Sequence, residues 1–212
     1  MSEYHNTKAE DRVPLGQKLA VGAGGFPIQN GGLIVQYMAQ PIFQIFLGLN
    51  PALFGLAMTI PRIWDAFTDP VMGRISDRTQ SRYGRRRPYV FFGALAVALT
   101  FLTIWMVPQS MGDTGTFLWL TIGSVLFFTA FTVFSVPFNA LVYEQTPDYH
   151  ERTRLMFYLA LFYNIGNLCV NWYVPATSWS GFENPLVGAR WIALGLALVV
   201  FIGMGILPAI FG

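Results

Sequence analysis

The chain has 212 residues, of which 54% are hydrophobic and only 11% are Asp, Glu, Lys or Arg, with a mean hydropathy of +0.47. A soluble domain carries about 25% charged residues, so too little polar sequence is present here to coat an aqueous surface. The composition therefore indicates a membrane protein, and the net charge of +2 does not indicate a nucleic-acid partner. Residues 1–20 are mostly polar and lack the apolar core of a signal peptide, so we expect this segment to be cytoplasmic.

Six stretches are apolar and long enough to cross a bilayer, which requires about 20 residues of helix. We predict one bundle over residues 21–212, with spans at about 22–47, 51–73, 89–108, 116–143, 154–175 and 187–211. Loops rich in Lys and Arg stay in the cytoplasm, and the six arginines from Arg74 to Arg87 all lie in or beside one such loop. Only Arg190 lies on the opposite face, so both termini are predicted to be cytoplasmic in a multi-pass plasma or inner membrane protein.

Polar side chains recur at helical spacing in several spans, whereas spans three and six are nearly all apolar. The order polar, polar, apolar, repeated once, is typical of two three-helix repeats whose first two helices line a cavity. The alternative is that these groups only join helices through hydrogen bonds. The stripes are Gln29, Gln36, Gln40 and Gln44 in span one, Thr132, Ser135, Asn139 and Tyr143 in span four, and Asn164, Asn167 and Asn171 in span five.

Span two carries Arg62, Asp65 and Asp69 at positions i, i+3 and i+7, so their side chains project from one face of a helix. Ionised groups at this depth are costly and usually face one another or a water-filled pathway. Two carboxylates one turn apart repel each other and are stabilised by sharing a proton or a hard cation. The spacing predicts a cation site, and the alternative is a salt bridge of Arg62 with Asp65 that only orients the helix.

The run from Arg62-Ile63-Trp64-Asp65 through Asp69 and Gly73 to Tyr89 resembles the signature of the glycoside-pentoside-hexuronide:cation symporters. These are the melibiose-permease-like branch of the major facilitator superfamily. The shorter Lys18-Leu19 and Pro137-Phe138 neighbourhoods also align. The resemblance covers the whole chain and implies an all-α membrane protein with six transmembrane helices, similar to the N-terminal half of that fold.

The resemblance also implies roles for particular residues. Asp65 and Asp69 match the cation carboxylates, with Arg62 beside them, and the loop from Gly73 to Arg87 matches a gate that closes the cytoplasmic side during alternating access. We expect Asp77 and Arg78 to pair with a facing helix end of a second half. The gate residues are Gly73, Asp77, Arg78, Arg82, Gly84, Arg85 and Arg86.

The chain departs from melibiose permease at two sugar-binding or cation-site positions, where Gln29 and Ser135 stand in place of aspartates. Amides and hydroxyls still bind sugar hydroxyls, but the carboxylate clamp for galactosides is absent. The cation site also has one charge fewer. Because hydroxyl and amide oxygens of the neighbouring polar stripes can complete an oxygen shell for Na⁺, Ser135 and Asn139 are assigned to the cation site with Asp65 and Asp69. The predicted substrate-binding residues, which include aromatic rings that can stack on a sugar, are Gln29, Gln36, Tyr37, Arg62, Asn139, Asn164, Asn167 and Trp172, with Tyr163 as a further candidate.

The sequence thus predicts half of a secondary active transporter that couples Na⁺ or H⁺ to symport of a sugar or glycoside. A second six-helix half must cover the polar stripes, and a separate chain is favoured over a homodimer or a fragment of a longer protein. The alternatives are an accessory membrane subunit that keeps the fold and a carrier of a lipid-like substrate. We expect no organic cofactor, no structural metal and no enzymatic activity, because His5 and His150 lie outside the spans and Cys169 has no basic neighbour.

Overall fold

The structure is a computed structural model that describes residues 11–211, so Lys8 and His5 lie outside the described residues. Within that range the chain forms six long helices and no strand. The helices are α1, Leu15–Ala39 with a π-helical continuation Gln40–Phe46; α2, Pro51–Arg78; α3, Arg87–Trp105; α4, Asp113–Glu144; α5, Tyr149–Thr177; and α6, Pro185–Phe211, whose middle part Ala197–Met204 is π-helical.

Three helices, α3, α4 and α6, are long and apolar enough to cross a membrane by length and composition alone. The other three are long but carry the glycines, amides and charges that lower their hydropathy. The predicted all-α fold of six transmembrane helices is confirmed. The helices mostly extend beyond the predicted spans, and the membrane boundaries along them remain predictions.

The helices pack in a spatial order that differs from their order in the chain. α2 packs mainly on α4, α4 on α3, α3 on α6, and α1 on both α6 and α5. α2 and α5 are therefore the outer members of the bundle. An aromatic core holds α3, α4 and α6 together, with ring centroids 5.3 to 5.8 Å apart for the pairs that Phe101 makes with Trp105, Phe127 and Phe201.

Local chemistry determines where several helices begin and end. The side chains of Asn50, Asp148 and Asn184 cap the N-termini of α2, α5 and α6 by accepting a backbone N–H. At the C-terminal end of α3, the Arg190 guanidinium of α6 donates to the carbonyls of Trp105 at 3.1 Å and Val107 at 3.0 Å. The one arginine predicted on the external face therefore caps α3.

A proline in α1 and a glycine in α3 affect the local geometry of their helices. Pro41 has no N–H with which to continue the α-helical bonding of α1, and the π-helical segment begins beside it, at Gln40. Gly93 lies at a close approach of α3 and α4, because an added Cβ would lie 2.8 Å from the Phe134 Cα. The four glutamines of the span-one stripe are exposed or half-buried, so none of them belongs to the core.

Candidate functional site

The charged residues of α2 interact with neighbouring helices. Arg62 donates from Nη2 to the Gly32 carbonyl of α1 at 3.1 Å, and its guanidinium lies 4.7 Å from the centre of the Phe128 ring of α4. Asp69 accepts at Oδ1 a hydrogen bond of 2.8 Å from the Thr132 hydroxyl of α4. Asp65, between them in sequence, is half-buried, and its Oδ1 is buried with no hydrogen-bond partner.

The predicted alternative, an internal salt bridge, is not present. Among the residues that the structure describes, Arg62 makes no ion pair with Asp65 or Asp69; its guanidinium donates to a backbone carbonyl and lies over an aromatic ring. A buried carboxylate oxygen without a partner is costly, and a proton or a cation relieves that cost. Two carboxylates with neutral oxygens nearby suit a proton or a monovalent cation, and across residues 11–211 no group of three or more His, Cys, Asp or Glu side chains could hold a metal ion.

Parallel packing of α2 on α4 sets which oxygens reach the aspartates. Trp64 donates to the Thr129 hydroxyl at 2.9 Å, Asp69 bonds Thr132, and Gly73 faces Val136, so both helices advance together in the same direction. The Thr132 hydroxyl is the group that reaches Asp69, and the sequence did not predict this contact. Its position in the polar stripe of span four was the one sequence feature that pointed to such a role.

The structure does not bring the two predicted neutral cation ligands onto the carboxylates. Asn139 lies seven positions after Thr132, which is about 10 Å along a helix axis. Ser135 is half-buried, and neither residue hydrogen-bonds Asp65 or Asp69 within the described range. Asn139 instead lines a cleft of about 320 Å³ between α4 and α5, together with Tyr143 and Tyr163. Their roles at the cation site remain predictions.

The remaining predicted substrate residues lie on the outward faces of α1 and α5. Gln29 is half-buried beside Gly166, and the Asn164 amide donates to the Ala160 carbonyl of its own helix at 2.7 Å. These residues form an open wall, and no closed pocket that the structure describes encloses them. The exposed members are Gln36, Tyr37, Asn164, Asn167 and Trp172, the last with 75% of its surface exposed.

Asn30, next to Gln29, has a structural position that the sequence did not reveal. It is fully buried, accepts a hydrogen bond from the Tyr173 hydroxyl at 2.8 Å and donates to the Phe26 carbonyl at 3.0 Å. This contact joins α1 to α5. A buried amide with both ends satisfied holds two helices at a defined rotation.

The gate loop is held by ion pairs within this chain. Arg86 pairs with Asp77 at 2.8 Å and with Glu144 at 3.1 Å, while Arg85 pairs with Glu144 at 2.9 Å. These contacts tie the ends of α2, α3 and α4 together. Asp77 therefore has a partner within this chain, and its predicted pairing with a helix of a second half remains a prediction. Glu144 was missed because it lies 58 or 59 positions away from the arginines that it pairs with.

Other gate residues are placed differently. Gly84 adopts φ +94°, a left-handed turn that favours glycine. Arg78 is exposed and makes no hydrogen bond or ion pair with another described residue, so its pairing with a facing helix remains a prediction. The Arg82 guanidinium lies 5.1 Å from the centre of the Tyr83 ring. Gly73 faces Val136 of α4.

A second cluster of charges lies at the same end of the bundle, where α1 meets α5. Glu151 is 1% exposed and accepts from Lys18, from the Val13 N–H at 3.1 Å and from Arg154 at 3.3 Å. Burial of Glu151 opposes its ionisation, but the hydrogen bonds from Lys18 and Val13 and the charges of Lys18 and Arg154 outweigh burial and lower its pKa. The carboxylate thus anchors the segment that precedes α1.

The chain is similar in sequence to known membrane transport proteins. The profile of a family described as MFS/sugar transport protein matches residues 20–211. An uncharacterized symporter of Synechocystis is 36% identical over 65% of the chain and 26% of its own length. The sodium-dependent lysophosphatidylcholine symporter 1 of Gallus gallus is 30% identical over 68% and 27%, and the putative glycoside/cation symporter YagG of Escherichia coli is 27% identical over 89% and 40%. The chain therefore spans between about a quarter and two fifths of these relatives.

Proposed function

The chain belongs to the MFS/sugar transport protein family, and we propose that it forms one half of a cation-coupled secondary active transporter. The observation that carries the proposal is the buried Asp65 Oδ1, which has no hydrogen-bond partner among residues 11–211 and lies one turn from Asp69. The nearby Arg62 donates to a backbone carbonyl and makes no ion pair with either aspartate. An acid kept at this depth without a structural partner suits reversible binding of Na⁺ or H⁺.

The open wall supports the need for a second six-helix half. α2 and α5 are the outer helices, and both expose large apolar side chains, among them Phe67 at 67%, Leu168 at 69% and Trp172 at 75%. The amides Asn164 and Asn167 lie beside these residues on α5 and would be costly against lipid tails. A parallel second half covers both edges and supplies the other wall of the cavity.

We propose that this second half is a separate chain. A homodimer would contain two copies of the Asp65 and Asp69 pair, whereas the two halves of such a transporter are not equivalent. The mass of the intact complex, measured by native mass spectrometry, distinguishes two different chains from a homodimer and from one longer protein. In the proposed orientation both termini and the arginine-rich loop are cytoplasmic, because the loop carries most of the positive charge.

For the substrate we propose a small hydroxylated molecule, a sugar or glycoside. The amides of Gln29, Gln36 and Asn164 and the rings of Tyr37 and Trp172 offer the hydrogen bonds and apolar faces that a sugar ring requires. The relative named as a glycoside/cation symporter supports this class. The arrangement does not require an enzymatic residue or an organic cofactor.

A lipid-like substrate is the second candidate. The cleft between α4 and α5 is lined mainly by apolar and aromatic side chains, including Val142, Met156 and Leu159, with Asn139 as its amide. A relative named as a lysophosphatidylcholine symporter also supports it. An apolar cleft beside the cavity accommodates an acyl chain better than it accommodates a sugar.

Uptake into proteoliposomes tests both proposals. The chain is reconstituted with its second half, and accumulation of labelled glycosides or a lysophospholipid is measured under an inward Na⁺ gradient or an inward proton gradient. We expect accumulation that collapses when an ionophore removes the gradient. Equal uptake with and without the gradient would exclude cation coupling, and uptake of the lysophospholipid alone would replace the sugar with the second candidate.

A further inference from the structure

A groove of about 850 Å³ lies at the arginine-rich end of the bundle, between the start of α3 and the end of α6. α3 contributes Pro88, Phe91 and Phe92, and α6 contributes Ala209 and Ile210. α2 and α5, which carry the charged cluster and the amide wall, do not line it. The groove therefore lies away from Asp65 and Asp69 and from the amides of α5, although Arg82 and Gly84 of the predicted gate loop line its mouth.

The walls of the groove face outward and are apolar. Phe92 is 67% exposed and Ile210 is 56% exposed, and each belongs to one of the helices that are apolar enough to span a membrane. Further along the same helices, Leu99 is 66% and Val199 is 64% exposed. In the orientation proposed above, this side of the bundle borders lipid and the groove opens sideways into the hydrocarbon region.

The mouth of the groove is positively charged. Arg82 and Arg87 line it, and no acidic side chain does. Arg82 is exposed, and its contact in the structure is the stacking on Tyr83, whereas Arg85 and Arg86 are both engaged by carboxylates. An apolar slot with guanidinium groups at its polar end matches an amphiphile that has an anionic head.

We propose that this groove binds an anionic phospholipid of the cytoplasmic leaflet. Its phosphate contacts Arg82 and Arg87, and an acyl chain lies against Phe91, Phe92 and Ile210. Guanidinium groups bind phosphate through paired charge-assisted hydrogen bonds, and basic pockets between transmembrane helices on the cytoplasmic side recognise anionic head groups. The site rests on the orientation proposed above, but it does not depend on transport or on the transported substrate.

Native mass spectrometry from nanodiscs tests the site with defined probes. The reconstituted protein is placed in discs that contain equal amounts of phosphatidylglycerol and phosphatidylcholine with identical acyl chains, and the lipids retained after ejection are counted. The variants are Arg82→Gln, which removes one guanidinium at an exposed position, and Ile210→Trp, which fills the slot. Arg74→Gln is the matched control, because Arg74 is an exposed arginine of α2 that does not line the groove.

We expect the parent and Arg74→Gln to retain phosphatidylglycerol preferentially. Arg82→Gln should weaken that retention about fivefold, the contribution of one basic residue near an anionic surface, while Ile210→Trp should remove retention of both lipids at this site. The proposal is overturned if the parent retains the two lipids equally, if Arg74→Gln loses as much as Arg82→Gln, or if neither groove variant changes retention.

Discussion

Replacing Glu151 with Ala should detach the start of α1 from α5. The Lys18–Glu151 ion pair is the most deeply buried in the described part of the chain, with side-chain exposures of 13% and 1%. The same carboxylate accepts the Val13 N–H, so a single side chain holds both the N-terminal segment and the first turn of α1. Its removal leaves Lys18 and a backbone donor without their partner.

The magnitude follows from these contacts. Removing one partner of a buried ion pair costs about 3–5 kcal/mol, because the other charge is left uncompensated. Arg154 is 48% exposed, so its share is at most about 1 kcal/mol. Lys18 can extend its flexible side chain toward water, so we expect a loss of stability near the lower end of the range of about 3–5 kcal/mol. A local destabilisation of about 3 kcal/mol corresponds to exchange on the order of 100-fold faster at the affected amides.

Hydrogen exchange in nanodiscs, read by mass spectrometry on peptides from the start of α1, measures this loss. Arg154→Ala is the matched control and should change exchange less than about fivefold, because it removes only the exposed partner. A Lys18→Met, Glu151→Met double variant should recover much of the protection, since it leaves no orphan charge. If Glu151→Ala and Arg154→Ala accelerated exchange equally, the buried-pair explanation would be wrong.

The same contact predicts a pH dependence. The pKa of Glu151 is lowered from 4.5, so its stabilisation is fully present above about pH 4.5 and is lost as the pH falls through the folded-state value. The thermal midpoint of the parent should therefore approach that of Glu151→Ala under acidic conditions. A gap between the two midpoints that stayed constant from neutral pH to about pH 3 would contradict the assignment.

Three further predictions concern transport. Asp65→Asn or Asp69→Asn should abolish cation-driven accumulation of substrate but spare downhill exchange. The control variant Asp113→Asn, at the exposed start of α4, should accumulate substrate normally. Accumulation at the parental level by both the Asp65 and the Asp69 variant would refute the cation site. Asp77→Ala should slow turnover more than it weakens substrate binding, because it removes one of the two carboxylates that pair with Arg86 at the helix ends, away from the cavity. Equal losses in rate and affinity would argue against gating. The chain purified alone in detergent should neither bind a sugar tightly nor stay monodisperse, because it supplies only one wall of the cavity. Native mass spectrometry with titration of sugars in the presence of Na⁺ measures both properties. A stable six-helix monomer that bound a sugar tightly would refute the half-transporter model.

Much of the architecture follows from the sequence, because hydropathy and charge are properties of the chain itself. Six long apolar stretches predict six helices, since every backbone group in a bilayer must be bonded within its own segment. The spacing of Arg62, Asp65 and Asp69 likewise places them on one helical face. The match over residues 20–211 to a transporter family agrees with the six-helix architecture.

The partners of these residues were decided only by the tertiary structure. Helical periodicity tells which side chains share a face, but not how a helix is rotated or aligned against its neighbour. Ser135 and Thr132 belong to the same polar stripe, and the alignment of α2 on α4 brings Thr132 to Asp69. In the same way, helix packing directs Arg62 to the Gly32 carbonyl instead of Asp65, and brings Glu144 to Arg86 across a long stretch of sequence.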